Sequence, residues 1–373
     1  MGKRILLIIP LLSSYRSFFM ELGDELYKNG YSVFLLTDNS ENESIEHIKI
    51  IHLKLPRGMN PLEHLKCISR IRHIVEIVNP DLIQTHFSAN IFTVALAKTQ
   101  NWPITIATFH GLSFPLTSGY LKRKLLKFVE VFAASRMDRV CILTEDDADL
   151  LRRNIKATKV YCYKSMGIGC DVHKFDRRRY TSEMLIQEKM KFEIQDTDTV
   201  LVFVGRFVNF KGFHLVARAF NKLADSNIKL LLLGKKDSIH STGLSEQEEA
   251  ALFSNPNVID VGFVNNVDDY LAIADIMVFP SIREGMPVCV MESLSMCVPV
   301  IVPNSRGCNV LVSNGNNGVI LKNLSVESIC DAIIELKSKL KDDTMRTFML
   351  AERGKYDRKI YVEEQIAIYE SYL

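Results

Sequence analysis

Two carboxylates stand eight positions apart in the apolar stretch FPSIREGMPVCVMESLSMCVPVIV, residues 279–302: Glu284 and Glu292, with Arg283 as the only other charged side chain. Gly285 permits a tight turn, and Pro287 suits the first turn of a helix, where its missing N–H is no loss. Glu284 is therefore expected in the loop at the helix mouth, and Glu292 about one and a half turns inside, beside Val290, Met291 and Leu294. A carboxylate left without donors there would be costly or would take up a proton. Donors from the backbone or from Arg306 would make it structural. Hydroxyls of a ligand would make it functional, because a fixed carboxylate is a natural acceptor for a ribose diol in a Rossmann-type site. The free backbone N–H groups among residues 285–288, those of Gly285 and Met286 included, and the helix dipole add a place for phosphate. A nucleotide sugar requires both.

Complementary charge lies in VFVGRFVNFKGF, residues 202–213, where Gly205 and Arg206 end a strand and Lys211 opens the next helix. Both cations are expected to reach one anion at the strand ends. In ATFHGL and QTHFSA a histidine follows an apolar strand, His110 and His86. Gly111 lets His110 turn sharply toward a cleft. Two segments are decoys. Asp196-Thr197-Asp198 has a D-x-D pattern but belongs to a polar stretch ahead of a strand, and MGIGCD at 166–171 has a G-x-G with no helix behind it, so neither a metal ion nor a dinucleotide cofactor is expected.

The elements that must position these residues alternate throughout. KRILLII, YSVFLLT, DLIQTHF, PITIATFHG and DRVCILTE read as buried parallel strands separated by helices, and the pattern restarts with TVLVFVGRF, IKLLLLG, NVIDVGF, IMVFPS and VPVIVP. A chain of 373 residues exceeds the size at which one core stops growing. The expected fold is α/β, two Rossmann-like doubly wound domains facing across a cleft: residues 1–173, then 174–355 with 174–199 as a polar connector, then a final helix over 356–373 packing back on the first domain. The eight cysteines form no C-x-x-C pair and read as buried, reduced thiols. The apolar run at the start reads as a first strand rather than a signal peptide, and no stretch is long enough to span a bilayer.

Net charge is +2, but residues 1–175 carry 23 basic against 17 acidic side chains and the remainder 23 against 27. Part of that excess is YLKRKLLKFVEVF at 120–132, where Lys122, Arg123, Lys124 and Lys127 surround Leu121, Leu125, Phe128 and Phe132 at helical spacing. Such a helix either rests on anionic lipid headgroups or packs on the core with a solvated charged face.

VGRFVNFKG, then PSIREGMPVCVMESLSMCVPVIV, then NGNNGVIL, in this order and spacing, resemble the donor domain of the retaining glycosyltransferases of family 4, which have the GT-B fold. Glu284 and Glu292 match the family's E-x7-E, and Gly205, Arg206, Lys211 and Gly212 its G-R-x4-K-G. TFHGL is similar to its histidine-glycine turn, and KSMGIGCDVHKF to the segment closing its first domain. The resemblance implies that Arg206 and Lys211 hold the donor diphosphate, that Glu292 binds ribose hydroxyls, that Glu284 with the backbone from Gly285 to Pro287 positions the donor sugar, and that His110 contacts that sugar. It implies no metal. PLLSSYRS, with Ser13, Ser14 and Tyr15, departs from the family's glycine-rich first turn. SRGCNVLV and FHGLSFPLTSGYLKRK look most like bacterial enzymes of capsule and O-antigen assembly.

The implied activity is transfer from a nucleotide sugar, a UDP-sugar, to a polyprenyl-diphosphate-linked glycan at the inner face of the cell membrane, with the basic helix toward the lipid and no nucleic-acid partner. A nucleotide-sugar epimerase of the same fold and a non-catalytic nucleotide-sugar binder are the alternatives. A dehydrogenase is disfavoured, since no G-x-G-x-x-G follows the first strand.

Overall fold

The computed structural model describes residues 2–40, 42–58, 60–238 and 240–373. The chain divides into two units, Met1–Ile168 with Lys359–Leu373, and Gly169–Arg358.

In the first unit the strands are β1 (Arg4–Leu11), β2 (Ser32–Asp38), β3 (Ile48–His52), β4 (Leu82–His86), β5 (Ile104–Phe109), β6 (Arg139–Ile142) and β7 (Val160–Cys162). They pair in parallel in the order β3-β2-β1-β4-β5-β6-β7. Five consecutive β1 residues, Ile5 to Ile9, are buried, which alternating polarity could not satisfy and which helices on both faces do. The order reverses between β1 and β4, so the loops leaving neighbouring strands diverge there and open a crevice at their carboxyl ends. His86 ends β4 and His110 follows β5 directly.

The second unit repeats the plan with β8 (Thr199–Val204), β9 (Ile228–Leu233), β10 (Val258–Gly262), β11 (Ile276–Val278), β12 (Val300–Pro303) and β13 (Gly318–Leu321), in the order β10-β9-β8-β11-β12-β13. Its reversal lies between β8 and β11. The loops leaving those strands, 205–212 and 279–287, are the ones that carry the expected donor-site residues. Beneath them Phe207 stacks on Phe213 at 4.5 Å, and Phe203 lies 5.6 Å from Phe213 and 6.5 Å from Phe279. Each such pair contributes about 0.5–1.5 kcal/mol beyond its buried area, so an aromatic floor fixes the height of both loops.

Three local expectations change. The polar stretch 174–199 is not a free connector, because it contributes the helix Ser182–Met190 to the second unit and Tyr180 Oη donates to Asp268 at 3.1 Å and Asp269 at 2.9 Å. Lys174 and Arg179 also pair with Asp268, so part of its charge serves to hold it against the second unit. The division lies at Ile168/Gly169 instead of after residue 173: the Cys170 N–H donates to Tyr356 O at 2.8 Å and the Arg358 N–H to Cys170 O at 3.0 Å, which ties both chain crossings together. PLLSSYRS is no open loop either. A helix begins at Leu12, placing Ser13 and Ser14 in its first turn and burying Tyr15, whose hydroxyl occupies space that a β-carbon on Gly23 would enter at 1.9 Å.

The last helix, Arg358–Glu370, belongs to the first unit from Lys359 onward and is held in it by polar contacts. Glu364 accepts from Tyr161 Oη at 2.6 Å and from the N–H groups of Lys164 at 2.8 Å and Ser165 at 3.0 Å. Tyr163 Oη donates to Gln365 and meets Thr108 Oγ1 at 3.1 Å, and Thr108 Oγ1 also accepts from Gln84 at 2.8 Å. Hydrogen bonds to a charged acceptor are worth about 1.5–3 kcal/mol each, and an acceptor removed from three donors leaves all of them wanting. Glu364→Ala is accordingly expected to lower the stability of the first unit by about 2–3 kcal/mol, read as a lower urea midpoint for the tyrosine fluorescence of that unit.

Candidate active site

Lys211 and Glu284 meet across the β8 and β11 loops. Lys211 Nζ donates to Glu284 Oε1 at 2.6 Å, with the two side chains 19% and 10% exposed. The fully buried Ser281 donates to the same oxygen at 2.5 Å. Among the described residues nothing donates to Oε2, which leaves one oxygen of Glu284 for a ligand hydroxyl. Two glycines make the contact possible. Gly212 has φ +76° and a β-carbon on it would stand 2.5 Å from Pro280 O; Gly307 has φ +81° and its β-carbon would stand 1.9 Å from Gly285 O. Any other residue type would be strained there and would push the loops apart. Ser305 Oγ adds a bond to Ser281 O at 3.1 Å, closing the back of the 281–285 loop.

Arg206 and Lys211 each have a carboxylate partner of their own. Arg206, at the residue after Gly205 (φ +146°), pairs with Asp237 in the loop that follows β9. Its guanidinium lies 5.4 Å from the Phe210 ring, and that of Arg283 lies 5.5 Å from the same ring. Arg283 is thus a third cation of the site, one that its place beside Glu284 in the sequence already offered. Gly285, Met286 and Pro287 lead into the helix Val288–Ser295. Pro287 stands at the N-cap rather than in the first turn and has no side chain with which to cap, so the N–H groups of Val288 and Cys289 point out of the helix end toward whatever fills the crevice.

Glu292 sits in that helix with no hydrogen-bond donor on its carboxylate among the described residues. Arg306, the protein donor weighed from sequence, does not supply one. Burial pushes the carboxyl up to about 7, with Arg358 and Lys174 pulling it down and Asp268 pushing it further up. The side chain is nevertheless half-buried and keeps access to solvent. A carboxylate that the protein neither bonds nor seals off is an unusual arrangement unless a second molecule supplies the donors.

In the first unit the two strand-end histidines come together. His86 Nδ1 and His110 Nε2 are 3.1 Å apart, and Phe87 (φ +69°) stacks on His110 at 4.5 Å. Burial drives His110 down to about 4 and His86 well below the ordinary histidine value, His110 adding to the latter effect. Both rings are therefore neutral near pH 7. Their partnership was readable only from register, since the β4–β5 pairing sets His86 level with Thr108.

Lys122, Arg123, Lys124 and Lys127 all lie on the exposed side of the helix Tyr120–Arg136, and so do Leu121, Leu125 and Phe128, at 80%, 59% and 67% exposure. The core-facing set is instead Val129, Glu130, Ala133 and Ala134. The decoys carry nothing further: Asp196 pairs with Lys189 and Asp198 accepts from Gln195 N. Among the described residues no group of three or more His, Cys, Asp or Glu could hold a metal ion, and all eight cysteines are free thiols.

Two family models match the chain, one for each unit: Glycosyltransferase Family 4 over residues 17–162 and Glycosyl transferases group 1 over residues 186–347. The chain belongs to the family 4 glycosyltransferases. Among relatives of this glycosyltransferase is the Escherichia coli UDP-Gal:alpha-D-GlcNAc-diphosphoundecaprenol alpha-1,3-galactosyltransferase, 24% identical, with 76% of this chain and 73% of the relative covered. The Staphylococcus aureus capsular polysaccharide biosynthesis glycosyltransferase CapM is 27% identical, covering 76% and 74%. A Campylobacter jejuni N,N'-diacetylbacillosaminyl-diphospho-undecaprenol alpha-1,3-N-acetylgalactosaminyltransferase is 25% identical, covering 87% and 86%. Sucrose-phosphate synthase from Thermosynechococcus elongatus superposes with a TM-score of 0.83 at 16% identity, over 99% of this chain and 98% of that one. Anabaena HepE, solved with UDP and glucose, gives 0.80 at 15% identity over the whole of both chains. The fold is GT-B.

Because the folded-state pKa of Glu292 lies above the ordinary value of 4.5, its proton favours the folded state. That contribution is complete below about pH 4.5 and is lost as pH rises through about 7. Glu292→Gln should therefore stabilise the second unit at pH 8, by about 1–3 kcal/mol, and the gain should vanish toward pH 4.5 in urea denaturation followed across that range.

Proposed function

We propose that this glycosyltransferase moves a sugar from a UDP-sugar to a polyprenyl-diphosphate-linked glycan, with retention of anomeric configuration and without a metal ion, in the assembly of a surface polysaccharide. The observation that carries the donor assignment is Glu292: a half-buried carboxylate beside the chain reversal of the second sheet, with no protein donor among the described residues. A ribose diol supplies two O–H donors to it. The nucleotide's diphosphate then falls at the uncapped end of the Val288–Ser295 helix, within reach of cations from the β8 loop.

In this reading Lys211 and Arg206 stabilise the charge that develops on the departing nucleoside diphosphate, the electrostatic task that a metal performs elsewhere. Each exchanges a carboxylate partner for phosphate oxygens. Glu284, steered by Ser281 and by the backbone from Gly285 to Pro287, presents its remaining oxygen to the sugar hydroxyls. His110 takes the role that the resemblance gives it, a contact to the donor sugar. As a neutral imidazole it does so by a hydrogen bond and not as an acid.

The relatives support this choice of acceptor. Two of those above act, by name, on sugars linked to diphosphoundecaprenol. An exposed apolar stripe of Leu121, Leu125 and Phe128 among four basic side chains suits the headgroup layer of an anionic bilayer, where such acceptors reside. Among the described residues no helix is long and apolar enough to cross a membrane, so the proposed attachment is peripheral, on the inner face of the cell membrane.

Purified protein, a panel of UDP-sugars and a polyprenyl-diphosphate-linked acceptor in vesicles provide the test. Transfer is expected to survive EDTA and to give a product with the donor's anomeric configuration by NMR. Lys211→Ala and Glu284→Ala should each lower the rate by about 10²–10³-fold with unchanged circular dichroism; transfer retained in both would overturn the reading. Glu292→Gln should weaken UDP binding about tenfold in calorimetry and flatten a rise in wild-type affinity between pH 6 and 8. An equal affinity in the two proteins would remove Glu292 from the ribose.

A further inference from the structure

A buried and heavily engaged side chain that the proposed reaction leaves unused is Glu130, on the buried face of the Tyr120–Arg136 helix. It is 1% exposed. Its Oε1 accepts from Ser88 Oγ at 2.8 Å and from the Ser113 N–H at 2.9 Å; its Oε2 accepts from the Ser113 N–H at 3.1 Å and the Phe114 N–H at 3.1 Å. No cation pairs with it among the described residues. Ser88 opens the helix that follows His86 and Phe87, and Ser113 and Phe114 stand just beyond His110 and Gly111. One carboxylate therefore gathers the two loops that carry the histidine pair. Asp147, also 1% exposed, takes the Leu112 N–H at 3.1 Å and secures the same turn from another helix.

The outer side of the Glu130 helix is the stripe of Leu121, Leu125 and Phe128 with its lysines. Phe128 and Glu130 are two residues apart, about 3 Å along the axis, and point to opposite sides of a single turn. A displacement of the outer side is carried rigidly to the inner one. We propose that Glu130 is a positioning residue which couples docking of that helix on an anionic bilayer to the placement of the His86–His110 pair; the inference rests on the reading of the helix as lipid-facing.

The coupling depends on a group that only accepts. Every atom meeting Glu130 is an N–H or O–H donor, so glutamine at this position turns an NH2 group against at least one of them and the 111–114 turn shifts to relieve the clash. Ser88→Ala is milder, removing a single donor while leaving both N–H contacts to the turn. Neither change touches the exposed stripe or any residue of the second unit.

Protein labelled at histidine Cε1 is mixed with phosphatidylglycerol-containing bicelles and followed by NMR, while co-sedimentation with vesicles of the same lipid measures docking and calorimetry with UDP measures the second unit. Wild type should dock and shift the His86 and His110 signals. Glu130→Gln should dock and bind UDP within twofold of wild type, yet show less than a third of that shift, and Ser88→Ala should fall between. Wild-type protein that does not dock refutes the lipid-facing reading and the coupling with it. Docking without a histidine shift, or a Glu130→Gln protein with the full shift, overturns the coupling alone. Should Glu130→Gln fail to fold, Ser88→Ala decides: a reduced shift with normal docking supports the coupling, and a full shift ends it.

Discussion

The contact between Lys211 and Glu284 is the constraint on which the second unit's site depends. It joins the loop after β8 to the loop after β11 at the one place where the sheet order reverses, and it exists because two stretches of backbone approach more closely than a β-carbon allows: Gly212 against Pro280 and Gly307 against Gly285. The site's dimensions are thus set by residues that have no side chain. Removing either member of a partly buried ion pair costs more than the pair contributes, because the survivor is left desolvated. The loops are consequently held in register by the same charges that the proposed chemistry uses, and a diphosphate that draws Lys211 away leaves Glu284 to be answered by other donors, such as hydroxyls of the proposed sugar.

Glu130 and Glu292 show how differently a fold can treat the same functional group. Both are carboxylates on helices against a core. Glu130 is met by three donors and sealed from solvent, which makes it a structural fixture. Glu292 has no donor among the described residues, only Arg358 and Lys174 at a distance, and burial drives it toward the neutral form. The first arrangement is complete and the second is not, and incompleteness is what distinguishes a side chain that awaits a ligand from one that organises its own protein.

What was legible in the sequence followed from patterns that physics makes local. Continuous apolar strands separated by helices pointed to both sheets, and the local pattern put Gly205, Arg206 and Lys211 in the loop after β8, Glu284 in the loop after β11 and Glu292 in the helix behind it, where the structure has them. What was illegible required pairing across the chain. The 174–199 stretch looked like a linker because its polar residues have partners such as Asp268 that lie far along the sequence. Leu121, Leu125 and Phe128 kept helical spacing whether they faced core or solvent, and only the packing of Ala133 and Ala134 inward separates the two cases. Glu130 carried no signal, since an acid on a helix reads as a solvated side chain until its donors, all but one of them backbone N–H groups, are seen.

The histidine pair allows one further step about the first unit. One proton lies between His86 Nδ1 and His110 Nε2, and His86 Nε2 is buried with no partner among the described residues. If His110 donated, neutral His86 would carry its own proton on that buried Nε2, an orphaned N–H of the kind proteins rarely tolerate. If His86 donates, the buried atom is an unused lone pair, the lesser cost. The second arrangement is therefore favoured, and it fixes the tautomer of His110: its Nε2 accepts and its Nδ1 carries the proton. His110 then presents an N–H, held by Phe87 and His86 and kept neutral by burial, which can serve a sugar oxygen as a donor without bringing a charge to it.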